Sequence, residues 1–280
     1  MTQINILKNK KNRYNMNQQF NQVVLVGHSL DKLIFSIDKE PVHKITFITE
    51  REPLPGTSEA KKLLNELIKY YKERKIPVQD VKFDFHIPTK PIAELTHLIY
   101  QQKILGFNNI KVNISGGLRY MVIWLYVACS ITNTTIIHGE FIYEGSNEVG
   151  IYANMELPKL PFQLITDKQF EFLEMFFNGY KNNIDFFNPD LPFNDNQFLI
   201  DRRKYNSLET LKEKLEEKRG NSLSRGSING FIQKLDKISA LNIYPNPKDK
   251  KEKTIEISYI GIAYFLHKLF LKPRIGTLLR

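Results

Sequence analysis

The sequence predicts an α/β fold, in which a Rossmann-like domain with a parallel sheet and a C-terminal hairpin precedes a winged helix-turn-helix domain. Three observations predict it. Short apolar runs alternate with amphipathic helical segments between residues 23 and 153, as in parallel strands joined by helical crossovers. Residues 111–129 connect a strand to an apolar helix through Ser-Gly-Gly. In residues 166–271 the alternation of strands and helices stops, and the pattern indicates three helices, two strands and a last helix.

In the first domain the apolar runs have strand length and the segments between them have helical period. The predicted strands are 23–26, 45–49, 81–85 and 110–114, with a hairpin over 135–143 and 149–153. The predicted helices are 32–37, 58–74, 91–105 and 118–129. Right-handed crossovers favour the strand order 3-2-1-4, which places a ligand crevice between the first and fourth strands. The loops 27–32 and 115–119 are therefore expected to share one pocket.

The domain boundaries follow from composition. Residues 1–22 hold four basic residues and no acid, and we expect a disordered polar tail there. Two prolines within 157–161 indicate a linker, so the first domain is expected over 23–157 and the second over 158–280. In the second domain we predict helices at 166–177, 207–218, 222–241 and 260–271, strands at 243–244 and 254–258, and an irregular insertion at 182–196.

Composition narrows the class of protein. The 280 residues are 42% hydrophobic and 25% charged, with a formal net charge of +10, which suits two ordinary cores and is compatible with a nucleic-acid partner. Cys129 is the single cysteine, so neither a disulfide framework nor a cysteine metal site is expected. No apolar run reaches the length of a membrane span or of a signal-peptide core, and we expect a cytoplasmic protein without metal or cofactor.

The two polar loops are the candidate ligand site. After the fourth strand come Ser115, Gly116, Gly117, Leu118 and Arg119; after the first come Gly27, His28, Ser29, Asp31 and Lys32. Glycines leave amide groups accessible, and a helix N-terminus with an arginine in its first turn favours an anion. Asp31 or Ser29 is expected to cap the short helix that follows the first strand. The alternative is that the glycine pair serves only strand-to-helix packing.

The second domain has the element order of a winged helix-turn-helix. Small polar and amide side chains near the start of its third helix suit base edges and phosphates, and lysines between the two strands suit phosphates. The candidate DNA-binding residues are Ser224, Arg225, Ser227, Asn229, Gln233, Lys248, Lys250, Lys251 and Lys253. A winged helix used only for dimerisation is the alternative.

The run Val-Asn-Ile-Ser-Gly-Gly-Leu-Arg-Tyr-Met at 112–121 resembles the second motif of CARF domains, the CRISPR-associated sensors of cyclic oligoadenylates. Residues 26–32, Val-Gly-His-Ser-Leu-Asp-Lys, occupy the position of the first CARF motif after the first strand, although their residue types match it less well. With a winged helix downstream, the chain resembles the archaeal CRISPR-associated CARF–winged-helix transcriptional regulators. The resemblance implies a homodimer that binds cyclic tetra-adenylate across two copies of the pocket and responds through double-stranded DNA.

The resemblance is also compatible with an enzymatic function. Some CARF proteins with winged-helix tails are ring nucleases that cut cyclic tetra-adenylate without metal. Here Ser29 or His28 would orient or deprotonate the ribose hydroxyl, and Arg119 or Lys32 would stabilise the developing charge. A HEPN ribonuclease effector is disfavoured, because His267 has no arginine closely upstream.

Overall fold

The computed structural model describes residues 19–53, 57–177, 186–187 and 202–272, without the side chains of residues 147, 148, 151 and 152. These residues divide into two compact units. The first comprises residues 19–87 and 98–160; the second comprises residues 88–97 and the described residues from 161 onward. The break after residue 160 lies close to the predicted boundary, but the sequence did not separate residues 88–97 from the first domain.

The first unit is built on a six-stranded sheet of order β3-β2-β1-β4-β5-β6. All neighbouring strands are parallel except β5 and β6, which form an antiparallel hairpin. The strands are β1 (Phe20–Leu25), β2 (Lys44–Glu50), β3 (Val78–Phe83), β4 (Asn109–Asn113), β5 (Thr135–Glu144) and β6 (Asn147–Glu156). The predicted order 3-2-1-4 and the hairpin are thus confirmed. The strand β1 begins three residues before the predicted position, and residues 1–18 of the predicted tail lie outside the described residues.

Four helices connect these strands: α1 (Leu30–Asp38), α2 (Thr57–Glu73), α3 (Lys90–Ile104) and α4 (Arg119–Thr132). Apolar side chains of α1 and α2 pack on β1 and β2 around Leu33, Leu67 and Tyr71. Burying these side chains is the main force that holds the helices on the sheet. The apolar helix α4 is not covered on every side in the single chain, because Ile123 is 55% exposed.

The second unit combines helices with a three-stranded antiparallel sheet of order β7-β9-β8. Its elements are α5 (Asp167–Glu174), β7 (Lys204–Tyr205), α6 (Leu208–Arg219), α7 (Arg225–Lys237), β8 (Leu241–Pro245), β9 (Lys253–Ile257) and α8 (Tyr259–Leu271). Stacked aromatic rings lie in its core: the ring centroid of Phe265 is 4.8 Å from that of Phe170 and 4.4 Å from that of Phe177. Apart from Phe186 and Phe187, the predicted insertion at 182–196 lies outside the described residues.

The helix predicted over 222–241 is shorter at both ends, and local hydrogen bonds explain why. Ser224 is the N-cap, and its hydroxyl accepts a bond from the Ser227 amide. At the other end Ser239 has φ +56°, its amide bonds the Asp236 carbonyl, and the Ala240 amide bonds the Leu235 carbonyl. These two bonds form a Schellman motif, which ends the helix before β8.

Gly261, in the first turns of α8, has no room for a side chain. A Cβ atom there would lie 2.1 Å from the Ala240 carbonyl oxygen, whereas a Cβ on Gly230 of α7 would meet nothing within 4 Å. We expect Gly261→Ala to lower the free energy of unfolding by about 3 kcal/mol, since backbone must move. Gly230→Ala should raise it by about 0.5–1 kcal/mol through helix propensity. Urea unfolding of both variants checks this pair, and equal effects would contradict it.

His97 is buried in the second unit as a neutral ring. Its Nε2 lies 2.6 Å from the Phe186 carbonyl oxygen, to which a neutral ring can donate, and its ring stacks on Phe187. Burial lowers the pKa of His97 from 6.5 to about 4. Between about pH 4 and pH 6.5 the His97 ring is therefore protonated in the unfolded chain and neutral in the folded chain.

We expect this difference to remove up to about 3 kcal/mol from the free energy of unfolding between pH 7 and pH 4. His97→Gln should abolish that part of the pH dependence. The exposed His86 supplies the control, because a His86→Gln variant should keep the pH dependence that His97 causes. Urea unfolding at several pH values measures both variants, and a wild-type slope in His97→Gln would contradict the assignment.

Candidate functional site

The two predicted loops meet at the carboxyl ends of β1 and β4, which are parallel neighbours. A Cβ atom on Gly27 would lie 2.6 Å from the Gly117 amide nitrogen, and one on Gly116 would lie 2.5 Å from the Leu25 carbonyl oxygen. Gly117 also has φ +81°, a conformation that favours glycine. The backbones of the two loops are therefore in contact. Packing alone accounts for all three glycines, so the case for an anion rests on the neighbouring groups.

Arg119 is the strongest of those groups. It is the first residue of α4, and its side chain is exposed. Leu118 occupies the N-cap and makes no side-chain capping bond. A helix start without a side-chain cap, next to a guanidinium, attracts a phosphate or carboxylate through both the dipole and the fixed charge.

The first loop supplies a second set of polar groups. His28 is exposed, and the Lys32 ammonium lies 3.6 Å from the centre of the Phe141 ring. Ser29 occupies the N-cap of α1, but its side chain makes no capping bond, and Asp31 lies in the first turn. The prediction of Ser29 as the N-cap residue is therefore confirmed in position, but the expected side-chain hydrogen bond does not form. Asp31 instead places a negative charge at the positive end of α1, which stabilises the helix.

Ser115 was predicted to bind the ligand, but its side chain is buried and makes hydrogen bonds inside the first unit. It is 4% exposed, its Oγ accepts a bond from the Gly139 amide at 2.7 Å, and it lies 3.1 Å from the Ser36 Oγ. Ser36 in turn donates to the Asn154 Oδ1 and accepts from the Asn113 Nδ2. This network uses the Ser115 hydroxyl as donor and acceptor, because the Ser36 proton goes to Asn154. It fixes the loop against β5 and β6.

Several residues near the crevice were missed by the sequence interpretation. Glu50 ends β2 and is buried, and the Tyr120 ring packs edge-on against Phe85 with centroids 6.5 Å apart. Burial, and then the Glu50 charge, raise the pKa of Tyr120. His138 on β5 has its Nδ1 3.4 Å from the Ile114 carbonyl oxygen. The rule that selected the ends of β1 and β4 applies equally to the end of β2, and could have found Glu50.

The Glu59 carboxylate, in the first turn of α2, interacts electrostatically with His28 of the first loop. A hydrogen bond from Ser58 and one from the backbone of Glu59 itself lower the pKa of this carboxyl, and the nearby His28 charge lowers it further. This interaction connects the start of α2 to His28. The crevice therefore has both acidic and basic groups, with Arg119 as its permanent cation.

The second candidate site is the start of α7. Arg225, Asn229 and Gln233 are exposed and follow one another at intervals of four residues, so they line one stripe of the helix. Ser224 and Ser227 are exposed too, but their hydroxyl oxygens lie 2.9 Å apart in the N-cap. The first role of these two hydroxyls is therefore to cap the start of α7, and contact with a ligand is secondary.

The lysines predicted to contact phosphates lie between β8 and β9. Lys248, Lys250 and Lys251 are exposed on the connection, and Lys253 is exposed where β9 begins. Asp249 accepts a bond from the Lys251 amide, so this acid shapes the turn. The connection and the first residue of β9 together present four lysine side chains to solvent.

The described residues offer neither a metal centre nor a reactive cysteine. No group of three or more His, Cys, Asp and Glu side chains among them could hold a metal ion. Burial raises the pKa of the Cys129 thiol, which makes it a poor nucleophile. In the same residues, no helix combines the length and apolarity that crossing a membrane requires.

Comparison with known proteins found one matching family model and 20 similar chains of solved structure. The model of the family described as "HFX_2341_N:-like, N-terminal" matches residues 21–143, which run from β1 into β5. Among solved structures, the crystal structure of protein VC1899 from Vibrio cholerae is similar at 13% identity and a TM-score of 0.35. The alignment covers 89% of this chain and 66% of that one. No curated protein matches the chain.

Proposed function

We propose that the chain is a CRISPR-associated regulator that binds a cyclic oligoadenylate, foremost cyclic tetra-adenylate, in the crevice of a CARF-like first unit. The observation that carries the proposal is the contact between the loops after β1 and β4, with Arg119 exposed beside it at the start of α4. A ring of phosphates needs fixed cations and open amides on a surface, and this crevice supplies both.

The resemblance of residues 112–121 to the second CARF motif names the ligand. A two-fold symmetric ring suits a homodimer, because an isologous interface brings the same loop from each copy to one axis. Two Arg119 side chains would then face one ring. The exposed Ile123, one turn further along α4, is an apolar residue available to such an interface.

The second unit is proposed to bind double-stranded DNA as a winged helix. The order α5, β7, α6, α7, the β8–β9 hairpin and α8 supports this proposal, because a winged helix-turn-helix also has a hairpin after its recognition helix. Residues 220–224 connect α6 to α7. The exposed stripe on α7 would lie in the major groove, and the lysines between β8 and β9 would contact phosphates.

A shift in dimer geometry on ring binding would change the spacing of the two α7 helices and hence the affinity for DNA. Fluorescence anisotropy with a duplex of about 30 base pairs tests this, with and without saturating cyclic tetra-adenylate. We expect at least a fivefold change in the dissociation constant. An unchanged constant with the ring bound would contradict the proposal.

Metal-independent cleavage of the ring is the second candidate function. His28 and Arg119 are both exposed on the two contacting loops, which is the pairing of a proton-transfer group with a cation that such cleavage needs. Incubating the protein with radiolabelled cyclic tetra-adenylate in EDTA separates the two functions. A linear product supports the enzyme, and an intact ring supports the regulator.

A further inference from the structure

A groove of about 680 Å³ lies in the second unit, between residues 163–169 and the C-terminal half of α7. On this side its lining residues are Phe231, Lys234 and Lys237 of α7, with Ile238 at the C-cap of the helix. The Phe231 ring is held from behind, because it stacks on Phe172 at 5.8 Å and lies 5.4 Å from the Arg219 guanidinium. Leu164, on the opposite side, is 54% exposed. The groove thus has a preformed apolar floor.

Three exposed lysines surround this floor: Lys168, Lys234 and Lys237. The acid in the lining, Asp167, is paired with Lys268 at 3.1 Å. The capping box at the start of α5 uses the Thr166 and Gln169 amides, so these two groups are not available to an anion. The attraction for negative charge therefore comes from the lysine side chains.

The groove and the candidate DNA-binding stripe lie on different faces of α7. At about 100° per residue, Arg225, Asn229 and Gln233 fall within about 80° of the helix circumference. The α7 lining residues of the groove fall between about 120° and 240° on the same wheel. An occupant of the groove would leave the stripe uncovered.

We propose that this groove binds an acidic peptide segment of a partner protein. A bulky apolar side chain of that segment packs on Phe231 and Leu164, and its carboxylates face the three lysines. Anchors of this kind, buried at the centre and surrounded by charge pairs, carry most of the affinity of peptide interfaces. A nucleic-acid backbone fits less well, because phosphates gain nothing from an apolar floor. The proposal rests on the groove alone and not on the function of the crevice.

The test uses the full chain and a rhodamine-labelled peptide of about twelve residues, in which glutamates flank a central Phe-Leu pair. Two comparison peptides carry glutamine for every glutamate, or Ser-Ser for Phe-Leu. We expect anisotropy to detect binding of the first peptide and at least a tenfold loss for each comparison peptide. The double variant Lys234→Glu/Lys237→Glu should weaken the first peptide at least tenfold.

The variant Lys69→Glu/Lys72→Glu is the matched control, because it makes the same change of charge at the same spacing on exposed lysines of α2, outside the groove. It should bind the peptide as the wild type does. Circular dichroism verifies that each variant is folded. Absence of binding at millimolar peptide, or equal binding of the glutamine or Ser-Ser peptide, would overturn the proposal. So would displacement of the peptide by duplex DNA, which would make the groove a nucleic-acid site.

Discussion

Replacing Arg119 by alanine is expected to weaken binding of cyclic tetra-adenylate by about 10- to 100-fold, which corresponds to the roughly 1.5–3 kcal/mol of a hydrogen bond to a charged group. The side chain is exposed at the first residue of α4, so it is available to the ligand. Because little of the folded core depends on it, the free energy of unfolding should change by less than about 0.5 kcal/mol. Calorimetric titration with the ring and urea unfolding measure the two effects.

The matched control removes a cation elsewhere on the first unit. Lys69 is exposed on α2, ten residues and about 15 Å of helix beyond Glu59. Lys69→Ala should bind the ring as the wild type does, apart from a small loss of long-range attraction that salt screens. If both variants lose affinity equally, the ring is attracted by net charge and Arg119 has no specific role.

Replacing Gly116 by alanine should eliminate measurable ring binding and lower the free energy of unfolding by about 3 kcal/mol. The added Cβ would lie 2.5 Å from the Leu25 carbonyl oxygen and 2.6 Å from the Gly27 amide nitrogen. Both neighbours are backbone atoms, which cannot rotate away as a side chain can. The two loops must therefore separate, and the crevice loses its shape.

Gly150 provides the comparison within the same sheet. A Cβ atom there would meet nothing within 4 Å, so Gly150→Ala should leave stability and ring binding close to the wild-type values. Urea unfolding and calorimetry again report both quantities. A Gly116→Ala protein of wild-type stability and affinity would show that the loop contact has no consequence for the site.

The strand order and the meeting of the two loops could be predicted from the sequence, because both follow from general rules. Apolar runs of strand length alternating with helices imply parallel crossovers, and the handedness of those crossovers limits the order. The order then brings residues 27 and 116 to one end of the sheet, although they are far apart in the chain. The predicted bounds of the elements were less accurate, as the ends of α7 show.

The roles of individual side chains could not be predicted in the same way. Ser115 has the residue type of a ligand-binding group, but its hydroxyl is used by Gly139 and Ser36, and those contacts depend on the packing of β5 and α1 against the loop. The polar residues of α3 show the same limit. His97 is buried with the second unit, and no local pattern assigns residues 88–97 to it.

The most direct test of the central claim is a calorimetric titration of the intact protein with cyclic tetra-adenylate at about 0.15 M salt. Two temperatures are needed, because an enthalpy of zero at one temperature becomes measurable at another when binding changes the heat capacity. The account predicts saturable heat, one ring for two chains, and weaker binding of the linear tetra-adenylate. Absence of heat at both temperatures, with this ring and with other small cyclic oligoadenylates, would contradict it.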